Sequence, residues 1–448
     1  MRRRGWRLPL FAALAVPAAL AAAAAPAAVV ATPLRPVAAV VDDYVRLGLA
    51  GNLQLRNSQL EVDGAMAELD AVRARYLPEL GLDSRFSRNT GGRAIDIPAL
   101  GLDFQFLRPQ EQQTELTLQQ PLYAPAIPAA VRAQRATLDA RQYAHRALQQ
   151  RLRRDITTGY LRWLQAMRTI DIVQSTQALL AENLRVNQAL FANGKITQDQ
   201  VLRARAEQLA VDQQLRQARN GASQAQSYLN FLLDRPLEEP LEQAEAEGEL
   251  RRAHADLALL KQAAFAARAE LGASGNSVRA AEAQAAAARA ARLPTLALAA
   301  NGGSQGEHFE FGQGRNFSSI NLLLSWNLFD GGRRRSEATA ATLAARRLRN
   351  QDEELRRQIE LEVRQSLDDV LATEDWLATS AARLDAASAG FRIAERKRDE
   401  GAISQAEFLD ARNTLTSAQL NLNLTRFELL ARQAELDYAT AAGAAPLD

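Results

Sequence analysis

Groups that could carry out chemistry are few and scattered in this chain. Its three histidines, His145, His254 and His308, stand far apart, and none has a partner at metal-ligand spacing. There is no cysteine, which excludes a thiolate metal site, a disulfide framework and lipid attachment through a cysteine. The three methionines, Met1, Met66 and Met167, form no track for a soft metal ion. No nucleophile elbow, zinc-protease helix or phosphate loop occurs. These observations imply a protein that is not an enzyme and has no cofactor or metal site. What remains is ionic. The chain has 54 basic and 52 acidic side chains, for a net charge of +2. Both signs are interspersed along helical stretches, as on solvated helix faces. No basic block interleaved with aromatics marks a nucleic-acid partner. Arg333 to Arg335 form a basic triplet just after a turn. They read either as a membrane-edge or phosphate contact, or as a solvated first helical turn.

The elements that hold these groups are written twice. GKITQDQVLRAR starts at Gly194 and GAISQAEFLDAR at Gly401, so the offset is 401 − 194 = 207. The same shift carries Leu148, Leu152, Ile156, Tyr160, Trp163 and Ile170 onto Leu355, Ile359, Val363, Leu367, Val370 and Leu377. RYLPELGL at Arg75 answers ARLPTLAL at Ala291, and LTLQQPLY at Leu116 answers NLLLSWNLF at Asn321. A repeat of this kind implies one structural unit duplicated. Each half predicts two short strands, a very long helix, a turn and a returning helix.

The long helices are expected over about 126–193 and 333–400, with returns over about 198–232 and 405–441. The apolar residues step by threes and fours, then by sevens, which is a coiled-coil seam. At 1.5 Å per residue each run reaches about 100 Å. Trp163 and Trp376 fall on these helices and read as core. Gly194 and Gly401 can end a helix in the left-handed conformation. Thr197 and Ser404 then stand at N-cap positions, with Gln200 and Glu407 at capping-box spacing.

The strands are expected over about 79–90, 112–123, 295–306 and 317–329. Leu80, Leu82 and Phe86 alternate with polar neighbours, and so do Ile320, Leu322, Leu324, Trp326 and Leu328. Such alternation over about ten residues is how a barrel strand faces lipid on one side and a lumen on the other. Tyr123, Trp326 and Phe329 lie at strand ends, where an aromatic girdle would meet the membrane interface. Residues 1–31 read as a signal peptide: Arg2, Arg3, Arg4 and Arg7 precede an uncharged alanine-rich stretch, with cleavage in 25–31. No later stretch could span a bilayer as a helix. Four strands cannot close a barrel, so the chain predicts its own oligomerisation.

The L-P-x-L strand starts at Leu77 and Leu293, the L-F-D-G-G turn at Leu328 to Gly332 and the two G-x-I-[ST] tips resemble the TolC family of outer-membrane efflux proteins. The resemblance covers nearly the whole chain beyond the signal. It implies a mixed α and β membrane protein. Three copies would form a trimeric twelve-stranded β-barrel, with four strands per chain, in the outer membrane of a Gram-negative bacterium. The barrel would continue into an α-helical coiled-coil tunnel through the periplasm. The tips, Gly194, Lys195, Ile196, Thr197, Gly401, Ala402, Ile403 and Ser404, would dock a periplasmic adaptor linked to an inner-membrane pump. The resemblance also implies a periplasmic gate at Glu407 and Asp410, with Arg398 in a constricting position. Arg203, the repeat-mate of Asp410, is the expected partner of a latch within or between subunits. The implied function is a passive exit channel for an efflux pump or a type I secretion system. The competing reading is a periplasmic coiled-coil adaptor or scaffold with no membrane barrel. The first repeat is expected over 32–240, the second over 241–442 with a leading helix at about 254–291, and a tail over 443–448.

Overall fold

The computed structural model describes residues 35–90, 94–105, 109–245, 256–308, 312 and 314–442. The expected signal segment and C-terminal tail lie outside the described residues. In chain order the elements are β1 (Arg35–Pro36), α1 (Val37–Gly51), α2 (Leu53–Ala74), β2 (Glu79–Arg88), β3 (Ala94–Ile97), β4 (Leu102–Gln105) and β5 (Gln110–Tyr123). They continue with α3 (Ala126–Ala192), α4 (Gln198–Leu232), β6 (Ala244–Glu245), α5 (Leu257–Ala267), α6 (Ala269–Ala290), β7 (Thr295–Gly306), β8 (Asn316–Ser325), α7 (Arg333–Asp399) and α8 (Gln405–Ala439).

The two long helices are each 67 residues, and each returning helix is 35. Their seam is buried at Leu152, Ile156, Tyr160 and Trp163 in the first half and at Ile359, Val363, Leu367 and Val370 in the second. Trp376 is a correction: it is 57% exposed, because its position falls off the seam. The helix expected over 254–291 is two helices that meet at Arg268, whose extended backbone (φ −70°, ψ 114°) breaks the run. The last strand ends at Ser325 rather than at 329, and Trp326 and Phe329 lie beyond it. Two small pairings carried no sequence signal: parallel β1 with β6, and antiparallel β3 with β4.

The main sheet is antiparallel in the order β2-β5-β7-β8. Register places Leu80, Leu118, Ala300 and Ile320 in one row, and Leu82, Leu116, Gly302 and Ser318 in the next. Leu80, Leu82, Leu116, Ile320, Leu322 and Leu324 are all exposed. The opposite face is polar, with Gly81, Thr117, Asn301 and Ser319 in one row. Gly303 allows the closest strand approach. A Cβ there would sit 2.0 Å from the Thr114 carbonyl oxygen.

Below the sheet, each leading helix breaks where it meets the end of the return helix of its own half. Asn52 breaks α1 from α2; its side chain caps Leu55 N–H at 3.2 Å and donates to the Leu232 carbonyl at 2.9 Å. Arg268 breaks α5 from α6 and donates to the Ala439 carbonyl at 3.2 Å. Leu232 and Ala439 are themselves 207 residues apart, so unrelated side chains read the same point of the repeat. Arg268 is buried and pairs with Glu270 at 2.9 Å and Glu362 at 3.1 Å. Tyr438 lies between two guanidiniums, Arg268 at 4.5 Å and Arg154 at 4.6 Å, and donates its hydroxyl to Glu270 at 2.9 Å. This knot ties α3, α6, α7 and α8 together.

Removing one member of a buried pair strands the other charge. Arg268→Met is therefore expected to destabilise the fold by about 3–5 kcal/mol. Lys261→Ala, which removes the more exposed pair to Glu360, is expected to have a much smaller effect. Denaturant unfolding of the two variants checks the contrast. Burial works to raise the Glu270 carboxyl, but Arg268 and Tyr438 outweigh it and hold the group below its ordinary value. A lowered carboxyl stabilises the fold above its unfolded value, and that contribution is lost as pH falls through the lowered one. The Arg268→Met penalty should shrink on acidification through that window.

Candidate functional site

Both helical tips close in the same way. Gly194 (φ 67°) and Gly401 (φ 69°) adopt the left-handed conformation. Lys195 N–H then reaches the Leu190 carbonyl at 2.9 Å, and Ala402 N–H the Lys397 carbonyl at 2.7 Å. These bonds satisfy carbonyls that the helix end would otherwise leave open. The N-caps that follow differ. Ser404 forms a full capping box: its hydroxyl accepts from Glu407 N–H at 3.2 Å, and Glu407 accepts from Ser404 N–H at 2.8 Å. Thr197 does not cap its helix, a correction to the expected box. Its hydroxyl turns to the Asp199 carboxylate instead.

The second tip is built on aromatics. Phe391 and Phe408 are buried with ring centroids 5.7 Å apart. The Arg398 guanidinium covers the Phe408 ring at 4.1 Å, and that of Arg412 lies 5.4 Å from Phe391. Arg398 therefore packs on its own tip, with a hydrogen bond to Asp399 at 3.3 Å. Arg412 is 5% exposed and donates to Thr176 Oγ1 at 2.8 Å, linking α8 to α3 across the repeat. Burial lowers its pKa against the opposing pull of Glu395. Sequence reasoning missed Arg412. Its repeat-mate Arg205 also follows an alanine in the repeated string yet is exposed.

Glu407 and Asp410 are both exposed near this tip. The Glu407 carboxylate is held below its usual range by the Ser404 backbone N–H it accepts. It is thus ionised at neutral pH and aimed back at the turn. Arg203 is also exposed. Among the described residues no ion pair joins it to Asp410 within one protomer. Lys195, Ala402 and Ser404 are exposed at the ends of the tips, and Ile196 and Ile403 are half-buried beneath them.

At the other end, the polar face of the sheet forms a connected wall. Asn301 donates to Glu115 and Ser319 donates to Asn301. Asn321 donates to Ser319 at 2.9 Å, and Gln305 to Glu111 at 2.7 Å. Asp83 stands directly opposite Glu115 in register. These carboxylates are the residues that strict alternation from Leu82 and Leu116 would have marked. Tyr123, Trp326 and Phe329 are exposed at the helix-proximal rim of the sheet, and Trp326 Nε1 donates to the Arg292 carbonyl at 3.2 Å. Among the described residues no cluster of three or more His, Asp or Glu could hold a metal ion, and no helix is long and apolar enough to cross a membrane.

A four-stranded sheet with one exposed apolar face, set on paired coiled-coil hairpins, is the architecture of an outer-membrane efflux channel. The chain belongs to the outer membrane efflux protein family, whose model matches residues 45–235 and 259–442. It is similar in fold to the Campylobacter jejuni CmeC outer membrane channel, with a TM-score of 0.82 and 17% identity over 91% of this chain and 87% of that one. The Vibrio cholerae outer membrane protein VceC gives a TM-score of 0.77 at 18% identity over 91% and 97%. The open state of the Neisseria gonorrhoeae MtrE outer membrane channel gives 0.76 at 17% over 90% and 89%. No curated protein matches the sequence. The resemblance to the TolC family is thus upheld, and the family is one of transport proteins rather than enzymes.

Replacing Gly401 by Val forces a β-branched residue into the left-handed region, at a cost of about 1–2 kcal/mol or more. The expected outcome is a loosened second tip, seen as faster amide exchange at the start of α8. The same change at Gly64, a helix-interior glycine with nothing within 4 Å, should leave that exchange unaltered.

Proposed function

We propose that three copies of this chain form a passive exit duct through the outer membrane, receiving substrate from a periplasmic adaptor and an inner-membrane transporter. The observation that carries this reading is the sheet. Its β2 and β8 edges are open in one protomer. Its exposed leucines would face water if the chain stayed alone. Unpaired edge groups cannot lie in hydrocarbon, so the strands must close into a barrel. Four strands are too few, and three sets of four make a cylinder wide enough for a lumen. The polar face carrying Glu115, Asn301 and Ser319 then lines the inside, and Tyr123, Trp326 and Phe329 meet the interface.

The α3–α4 and α7–α8 tips, with Gly194, Lys195, Ile196 and Thr197 and with Gly401, Ala402, Ile403 and Ser404, are the proposed adaptor-docking ends. Threefold symmetry turns Asp410, and the ionised Glu407 beside it, into rings of negative charge at the periplasmic mouth. Such rings favour cations in a narrow pore. Arg203 of one copy facing Asp410 of the next would close the latch, and Arg398 would narrow the same aperture. A soluble periplasmic scaffold would leave the apolar sheet face unexplained.

In planar bilayers the wild-type protein is expected to conduct with cation preference. The double substitution Glu407→Ala and Asp410→Ala should reduce that preference and weaken block by multivalent cations. Unchanged selectivity and block would remove both residues from the pore. Membrane fractionation tests the larger claim: a salt-extractable periplasmic monomer would overturn the duct.

A further inference from the structure

Just below the sheet, a cleft of about 300 Å³ opens between α6 and α7. Its lining includes Arg289, Arg292, Arg335 and Arg346, with Thr342 and Leu343. Three nearby arginines have an acid: Arg333 with Glu337, Arg334 with Asp330, and Arg349 with Glu282. Among the described residues no carboxylate pairs with any of the four in the cleft. Of the basic triplet, Arg333 and Arg334 are thus neutralised, and Arg335 lines the cleft. Helical side chains lean toward their own N-terminus. Arg346 on descending α7 therefore leans up and Arg289 on ascending α6 leans down, so these two lean toward each other across the cleft, and Arg292, in the turn after α6, and Arg335 line it too. Four arginines around one cleft with no paired carboxylate concentrate positive charge there, and the guanidinium fork fits phosphate oxygens.

The height of the cleft identifies the source of the anion. Arg292 lies three residues before Thr295, where β7 begins. The Arg334 guanidinium donates to the Ala291 carbonyl at 3.0 Å, which fixes the first turn of α7 at that level. Leu293, Trp326, Leu328 and Phe329 are exposed just above. This is the level of lipid headgroups beneath a barrel.

Handedness identifies the wall. Gln305 N–H bonds to the Arg315 carbonyl at 3.0 Å, so the polar-face residues of ascending β7 turn their backbone groups toward β8. For L-residues this puts β8 to the right of β7 as seen from the polar face. With that face inward, α7 follows α6 clockwise when viewed from the loops. Residues of descending α7 also advance clockwise in this view. Ala338 and Ala345 are buried against α6. Arg335 and Arg346 lie about 60–100° further round, on the side away from the channel axis.

We propose that this cleft binds the phosphate headgroup of an anionic lipid in the periplasmic leaflet of the outer membrane, one per protomer. The proposal rests on the barrel reading above. The full chain in neutral detergent is titrated with short-chain phosphatidylglycerol, short-chain phosphatidylcholine and inorganic phosphate, with binding read by native mass spectrometry. Phosphatidylglycerol is expected to bind more tightly than phosphatidylcholine. The R289Q/R346Q variant should lose about fivefold of that preference per arginine removed, and R289K/R346K should keep most of it. Equal binding of the two lipids, an unchanged preference in the Gln variant, or equal losses in the Gln and Lys variants would overturn the site. Inorganic phosphate binding as tightly as the lipid would overturn the lipid source. Bilayer conductance of the same preparations separates the two failures. A conducting wild type with no lipid preference defeats this proposal alone, whereas a non-conducting one defeats the duct and this site together.

Discussion

The structure depends on a sheet that one chain cannot finish. β2 and β8 present unpaired backbone groups at two edges, and the face carrying Leu80, Leu82, Ile320, Leu322 and Leu324 is exposed. In water either feature invites aggregation. In hydrocarbon an open edge is worse, because no solvent can satisfy it. Closure by copies of the same chain answers both. The helices that adjoin the sheet, α2, α3, α6 and α7, are then positioned by the strands they precede or follow, so the sheet order passes into the order of the helices below it.

Duplication supplies the second constraint. A 207-residue offset relates the two long helices, the two tips and the two return-helix ends, where Asp234 (φ 55°) and Ala441 (φ 53°) share an uncommon left-handed backbone. Chemistry has diverged on this common frame. One half holds its helix break with a neutral amide, Asn52, and the other with a buried arginine, Arg268, in a network of carboxylates and Tyr438. One tip is capped reciprocally by Ser404 and Glu407, and the other is not. The second tip also carries the Phe391–Phe408 pair with its two covering arginines. The halves therefore keep a common architecture but differ in how firmly their ends are held.

Much of this was legible in the chain. Helix periodicity, left-handed glycines and strand alternation depend on neighbours within a few residues, so Gly194, Gly401, Leu152, Ile156, Leu322 and Leu324 could be placed directly. Trp376 could not. It stands one residue off the seam position Leu377, and whether such a flanking position meets a partner depends on which helices lie alongside. The break at Arg268 was hidden for a similar reason: nothing in the alanine-rich run itself signals a stop, and distant groups, the Gln150 side chain, Glu362 and the Ala439 carbonyl, hold it bent.

By itself, the sequence determined the duplicated plan, the four strands, the long coiled-coil hairpins and the absence of enzyme motifs, because these follow from short-range spacing and residue type. Tertiary structure alone decided which charges are buried, paired or left open. Arg205 and Arg412 occupy equivalent letters of the repeat, yet only Arg412 is buried. Arg334 and Arg335 are adjacent, yet one is neutralised by Asp330 and the other lines a cleft with three more cations. The physical reason is that an ionic side chain's energy is set by what surrounds it in space. That environment is assembled from segments far apart along the chain.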